Sequence, residues 1–187
     1  MIFRAVEDAD LISRVRRGDV EAYNLLVSRW EKRVFNYLLR LCGNPDDALD
    51  LTQDAFLKAW QSIRKLDDPA RFGPWLYRIA HNEAYSLFRK RRPETALEDA
   101  EPGLERDRAP AFPMDLSLAV TAALDRLNPD QREAVVLKVY EGFKFEEMAE
   151  VLGCPVSTVK SRLYTALDLL KAELGPVGIR VSGGGKR

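Results

Sequence analysis

His81 is the only histidine in 187 residues, which removes most metal-ligand sets and the Ser/His/Asp and Cys/His nucleophile arrangements that need an imidazole in a dedicated constellation. Its neighbours are basic and aromatic, so it is expected to be a solvated or backbone-facing surface residue. Cys42 and Cys154 are the only cysteines and lie far apart, which excludes a disulfide framework and a CxxC metal ribbon. Neither a GxxxxGK[ST] loop nor a GxGxxG after a strand occurs. No catalytic residue, metal site or cofactor is therefore assigned, and the chain is expected not to be an enzyme.

What remains is the chemistry of recognition. Trp75, Arg78, Asn82, Tyr85 and Arg89 fall within about 80° of one side of a helix at ~100° per residue, opposite a stripe of Leu76, Ile79, Ala80, Ala84 and Leu87. An exposed row of rings, cations and an amide suits single-stranded nucleic acid, because rings stack on unpaired bases and cations meet the backbone. Residues 61–92 carry eight cations against three acids, which supports that reading. The alternative is that Trp75 and Tyr85 are partly buried against a neighbouring helix and the cations are merely solvated.

A second constellation runs from Phe145 to Lys160 and has the layout of a helix-turn-helix. Ala149 permits close helix approach, Gly153 permits the turn, Val156 and Val159 pack back, and Ser157 is the expected N-cap of the second helix. On that helix Val159, Leu163, Ala166, Leu167 and Leu170 share one sector. The opposite sector holds Ser157, Thr158, Ser161, Tyr164, Thr165 and Asp168, flanked by Lys160 and Arg162. Hydroxyls, an aromatic and flanking cations suit a helix in the major groove of duplex DNA. So few cations make a weak binder alone, and a second contact elsewhere is expected.

A third face has the opposite sign. Asp47, Asp50, Asp54 and Gln61 lie along one side of the helix opened by Pro45, with Leu57 beside them, and residues 42–60 carry four acids and one lysine. Nucleic acid is excluded there. The face is either simply solvated or an acidic and apolar stripe for a protein partner offering a basic helix.

The elements that must position these faces are helical. Apolar residues from Tyr23 to Leu41 recur at three- and four-residue steps over about six turns. Gly43 stops that helix. Asn44 caps the next, with Pro45 at its first position, and it is expected to run to about Lys65. Pro74 opens the third helix, which Pro93 ends. Residues 93–113 hold four prolines, six acids and two arginines and read as a flexible acidic linker. Beyond it, Asp115 to Leu127 is amphipathic, and Asn128-Pro129-Asp130 repeats the cap-plus-proline start of a helix ending near Tyr140. The helix-turn-helix follows. No strand alternation is found. The expectation is an all-α protein of two small helical domains, 1–92 and 114–174, joined by a linker over 93–113 and followed by a flexible tail over 175–187.

The formal net charge is zero, with 29 cations and 29 acids, so electrostatic function has to come from segregated blocks. The N-terminal stretch carries charges where a signal peptide needs an apolar run, and no run of about 18 apolar residues occurs. A cytoplasmic location without direct membrane insertion is expected.

Taken together, three blocks resemble bacterial RNA polymerase sigma factors of the extracytoplasmic-function (ECF) type: Asp46 to Trp60, Phe72 to Asn82, and Glu146 to Arg162. The resemblance implies that the first block docks on the clamp helices of core RNA polymerase through Asp47, Asp50, Gln53, Asp54 and Leu57. It implies that the loop from Lys65 to Phe72, with Asp67, Asp68 and Arg71, accepts a base flipped from the non-template strand of the −10 element. Trp75, Tyr77, Arg78 and Asn82 match the positions that open the duplex there, and Tyr85 and Arg89 extend the row. The helix-turn-helix is then the reader of duplex −35 DNA through Lys160, Ser161, Arg162 and Tyr164, with Ser157, Thr158 and Thr165 on the same face. Thr165 and Leu167 stand where the family usually has cations, which implies a weaker or unusual −35 contact. The partners implied are core RNA polymerase, promoter DNA and an anti-sigma factor.

Two rival functions fit parts of the pattern. A polymerase-independent helix-turn-helix regulator leaves the row from Trp75 to Arg89 without a purpose. A helical adaptor binding only proteins would tolerate loss of Arg78 and Lys160.

Overall fold

The computed structural model describes residues 6–91 and 116–174. The expected linker over 93–113 and tail over 175–187 lie outside the described residues. Among the described residues every regular element is helical.

The first unit contains α1 (Asp8–Arg16), α2 (Val20–Cys42), α3 (Pro45–Ser62) and α4 (Phe72–Arg91). Helix α1 was not anticipated. It buries Leu11, Ile12 and Val15, with Asp8 and Asp10 in its first turn and Arg14 and Arg16 in its last, an arrangement that complements the helix dipole. The Asp19 side chain caps α2 by accepting from the Ala22 N–H at 3.0 Å. Helix α2 then buries Leu26, Val34, Tyr37 and Leu38 completely. Burying each such aliphatic side chain contributes about 1.5–3 kcal/mol.

The cap of α3 is as expected: Asn44 accepts from the N–H groups of Asp46 and Asp47 at 2.9 and 3.2 Å. The α-helix stops at Ser62, and one 3-10 turn over Ile63–Lys65 carries the chain onward. Ala48, Ala55 and Ala59 of α3 and Ala80 and Ala84 of α4 are fully buried, so small side chains let these helices approach closely. Helix α4 begins two residues earlier than expected, at Phe72. Pro74 therefore occupies the third helical position, where a missing N–H still leaves no helical bond unmade.

The second unit contains α5 (Leu116–Asp125), α6 (Pro129–Val135), α7 (Phe145–Leu152) and α8 (Val156–Leu174). Asn128 and Gln131 form a reciprocal capping box at the start of α6. A π-helical turn over Val136–Tyr140 extends α6, with the Glu141 N–H donating to the Val136 carbonyl at 3.2 Å. Gly153 ends α7 with φ of 62°, a left-handed conformation that side chains with a Cβ resist. One expectation is corrected here. The carbonyl of Pro155 accepts from the Val159 N–H at 3.1 Å, so α8 starts at Val156 and Ser157 is its second helical residue rather than its cap.

The two units pack on each other. Helix α4 lies against α7, and α2 meets α6 and the π-helical turn.

Candidate nucleic-acid and protein interfaces

Helix α3 presents Asp50, Gln53, Asp54, Leu57 and Gln61 to solvent. Its apolar members Leu49 and Leu57 are about half exposed, at 51% and 55%, so the ridge combines carboxylates with uncovered aliphatic surface. Asp47 differs. It is only 15% exposed and accepts two hydrogen bonds from the Arg91 guanidinium, at 2.6 and 2.8 Å, and those bonds hold its carboxyl below the usual range. Five residues expected on one ridge thus divide into four that are free-standing and one that is engaged within the fold.

The loop between α3 and α4 exposes Lys65, Asp67, Asp68 and Arg71. Asp68 accepts from the Ala70 N–H at 2.9 Å and so shapes a short turn over Pro69–Arg71. Phe72 is buried beneath this loop, edge-on to Trp30 at 5.9 Å and tilted against Trp75 at 6.0 Å. A Cβ on Gly73 would stand 2.8 Å from the tip of the Trp30 indole. Glycine is therefore what allows the first turn of α4 to rest on the indole. Asp8 holds that ring from the other side, accepting from Trp30 Nε1 at 2.9 Å.

On α4, Arg78, Asn82 and Arg89 are exposed, whereas Trp75 and Tyr85 are half-buried and Tyr77 is fully buried. The expected row of exposed rings is thus corrected to a row of exposed cations and an amide flanked by partly covered rings. The cause is a second periodicity. Tyr77, His81 and Tyr85 recur at four-residue steps and form a face turned to the second unit. Tyr77 donates to Glu141 Oε2 at 2.5 Å, and Tyr85 donates to Asp130 Oδ1 at 2.8 Å. Burial, reinforced by the neighbouring carboxylates, pushes both phenols well above their ordinary range.

His81 is corrected as well: its side chain is only 14% exposed, and Nδ1 lies 2.8 Å from Glu133 Oε1. Glu133 is completely buried, accepts from the Tyr37 hydroxyl through the same oxygen, and leaves Oε2 buried without a hydrogen-bond partner. Desolvation and this carboxylate raise the Tyr37 phenol far above its normal value.

On α8, Ser157, Lys160, Ser161, Tyr164 and Thr165 are exposed, while Thr158 and Arg162 are half-buried. Val159, Leu163 and Ala166 form the buried side, but Leu167, expected there, is exposed. Arg162 pairs with Asp130 at 2.5 Å. The Lys160 ammonium stands 5.2 Å from the centre of the Phe145 ring, where a ring face attracts a cation.

Sequence reasoning did not identify Asp130, Glu133, Glu141 and Glu150 as site residues. A usable signal existed only for Glu133, an acid immediately before the apolar run from Ala134 to Leu137. The others are ordinary surface acids until the partner face is known.

Residues 26–94 match the model of sigma-70 region 2, and residues 117–170 match that of sigma-70 region 4. The chain is 33% identical over 184 residues to the RNA polymerase sigma-H factor of Pseudomonas aeruginosa, covering 91% of this chain and 95% of that protein. It is also 33% identical over 183 residues to the ECF RNA polymerase sigma-E factor of Haemophilus influenzae, covering 91% and 96%. Among solved structures it is similar to CnrH in complex with the cytosolic domain of CnrY, with a TM-score of 0.69, 28% identity and coverage of 91% and 99%. It is also similar to the sigma factor RpoE of Bartonella quintana in complex with the anti-sigma factor NepR, with a TM-score of 0.66, 29% identity and coverage of 82% and 96%.

Proposed function

The chain belongs to the sigma-70 family, as a sigma factor of the ECF type, and from that premise we propose a division of its surfaces among polymerase, melted strand and duplex. It binds core RNA polymerase and directs promoter-specific initiation of transcription, the role of a non-enzymatic initiation factor. No chemical step is assigned to any side chain.

Asp50, Gln53, Asp54 and Leu57 are the polymerase-docking residues, with Asp47 contributing at the end of the ridge once Arg91 releases it. Carboxylates flanking exposed leucine suit a basic helix: the charges steer and orient it while the aliphatic surface supplies burial. The loop residues Lys65, Asp67, Asp68, Arg71 and Phe72 and the α4 residues Trp75, Tyr77, Arg78, Asn82, Tyr85 and Arg89 capture the unpaired −10 strand. Each base stacked on a ring supplies roughly 1–3 kcal/mol toward the cost of unstacking, so trapping already parted bases requires no nucleotide hydrolysis. Ser157, Thr158, Lys160, Ser161, Arg162, Tyr164 and Thr165 read the −35 duplex. With the two DNA contacts on one chain, modest individual affinities combine through effective concentration.

The observation that carries this reading is the separation of charge: a solvent-facing acidic and apolar ridge on α3 and a solvent-facing row on α4 that carries Arg78 and Arg89. No helix among the described residues is long and apolar enough to cross a membrane, and a cytoplasmic site of action fits a polymerase subunit. The solved relative in complex with the anti-sigma factor NepR supports an anti-sigma partner for this chain as well.

Run-off transcription with core polymerase, from templates selected by sequencing the DNA retained with the holoenzyme, tests the function. Promoter-dependent product is expected only when this protein is present, and its absence would overturn the assignment. Asp50→Arg with Asp54→Arg is expected to weaken core binding at least tenfold, by setting like charges against a basic partner, with helicity unchanged. Unaltered affinity would remove α3 from the docking surface.

A further inference from the structure

No surface assigned above to polymerase or DNA includes α1, yet the two ends of this nine-residue helix reach the two ends of the loop proposed to capture an unpaired base. At the C-terminal end, Arg16 Nη2 donates to the carbonyl of Leu66, the buried residue from which the loop departs. At the N-terminal end, Asp8 accepts from Trp30 Nε1 at 2.9 Å, and that indole backs the return of the loop. Phe72 stands edge-on to it at 5.9 Å, and a Cβ on Gly73 would collide with its tip. The body of α1 packs on both 3-10 turns of this connection, Ile63–Lys65 and Pro69–Arg71.

We propose that α1 is a brace for the base-capturing loop, and that Arg16 and Asp8 are positioning residues that set how sharply the loop discriminates among unpaired bases. The inference rests on the reading of Lys65 to Phe72 as the loop that accepts a flipped base.

A pocket reads a flipped base by hydrogen bonds to its edge and by stacking, and both work best when the loop is held at a fixed span before the base arrives. The loop has little of its own to fix that span. Between the buried anchors Leu66 and Phe72, the residues Asp67, Asp68, Ala70 and Arg71 are exposed. The bond from the Ala70 N–H to Asp68, at 2.9 Å, shapes only a local turn. Helix α1 supplies the strut: it covers about 12 Å at ~1.5 Å per residue, and Leu11 and Ile12 on its inner side are completely buried.

Arg16 brings a cost along with its bond. Its Nε is buried without a hydrogen-bond partner, and an unsatisfied buried donor offsets what a hydrogen bond to a carbonyl contributes. An apolar side chain of similar length would serve stability as well. What the guanidinium adds is a fixed distance between α1 and the Leu66 carbonyl.

The test uses holoenzyme assembled from core polymerase and the full chain. Barcoded templates, premelted over the −10 region and randomised in its non-template strand, give the base preference at each position from transcript counts. A loop variant, Asp67→Ala with Arg71→Ala, identifies the captured position as the one where preference changes. Arg16→Met and Asp8→Ala, made singly, are each expected to reduce preference at that position about fivefold, with preference elsewhere and affinity for core polymerase unchanged. Arg16→Met removes a hydrogen bond and an unpaired donor together, so its urea midpoint, read by indole emission, is expected to stay near wild type. Arg16→Lys keeps one donor and is expected to restore most of the preference. Wild-type preference in both α1 variants, beside a change in the loop variant, would overturn the brace. So would a loss spread over all positions or matched by weaker core binding, since that marks general destabilisation. A loop variant with unaltered preference would refute the reading of the loop itself and the brace with it, while the run-off assay tests the sigma function independently.

Discussion

Arg132 offers a direct test of how the second unit is held together. The residue is only 8% exposed. Nε donates to the Leu124 carbonyl and Nη2 to the Asp125 carbonyl, both at 2.9 Å, with a longer 3.5 Å contact to the carbonyl of Leu127. These are last-turn and exit carbonyls of α5, which lack an α-helical partner; that of Leu124 also accepts from the Leu127 N–H at 3.2 Å. Arg132→Met keeps the aliphatic stem and removes the fork. Two charge-assisted bonds at about 1.5–3 kcal/mol each bound the loss, and trimming for partial water access leaves about 3 kcal/mol. In a unit of this size that lowers the midpoint of thermal unfolding by roughly 12–24 °C. Trp30, Trp60 and Trp75 are the only tryptophans and all lie in the first unit, so indole emission follows that unit while far-ultraviolet circular dichroism follows both. The variant is expected to split the two signals, with part of the helical ellipticity melting ahead of the emission change. Arg132→Lys keeps the charge without the fork and should recover less than half of the loss. A dichroism transition displaced by the equivalent of less than about 1 kcal/mol, or full rescue by lysine, would refute this account of the α5 terminus.

Two further perturbations probe the first unit. Gly73→Ala drives a methyl group to 2.8 Å from the Trp30 ring and is expected to cost about 1–3 kcal/mol of stability, read by urea titration of indole emission; a neutral result would show that the indole yields freely. The Asp47 carboxyl is depressed by its hydrogen bonds from Arg91, so the Asp47–Arg91 pair adds stability above the ordinary carboxylate range and loses it as pH falls through the lowered value. With Arg91 largely exposed, solvent screens the pair and its contribution is small. A carboxyl titration followed by NMR in wild type and Arg91→Ala is expected to show the Asp47 midpoint rising in the variant, and an unmoved midpoint would refute the pairing.

Most of the architecture was legible from the chain because its punctuation is local. Asn44-Pro45 and Asn128-Pro129 both cap helices as their chemistry requires, and Gly153 takes the left-handed turn between α7 and α8. Helix α1 is not legible in the same way, since three buried residues among charges make a short pattern. Ser157 lies two residues beyond Pro155, whose carbonyl accepts the first helical bond of α8, a backbone feature that residue type does not mark. At the site, the exposed ridge on α3 and the exposed cations on α4 follow from spacing alone. What spacing does not carry is which neighbour a helix face meets: Tyr77 and His81 are amphiphilic side chains, equally consistent with solvent or with a partner, and only the packing of α4 on α7 decides.

That ambiguity has a functional consequence. A helix that must serve one partner can be written as one stripe, but α4 carries three: an aliphatic side for its own core, a cationic row of Arg78, Asn82 and Arg89, and the line of Tyr77, His81 and Tyr85. The third stripe uses groups with a polar tip on an apolar body, which lose little in moving between a protein carboxylate and water or nucleic acid. Replacing Tyr77 and Tyr85 by leucine would keep the apolar contact but take these donors from Glu141 and Asp130. The residue types on this line are thus those expected of a surface with alternative occupants.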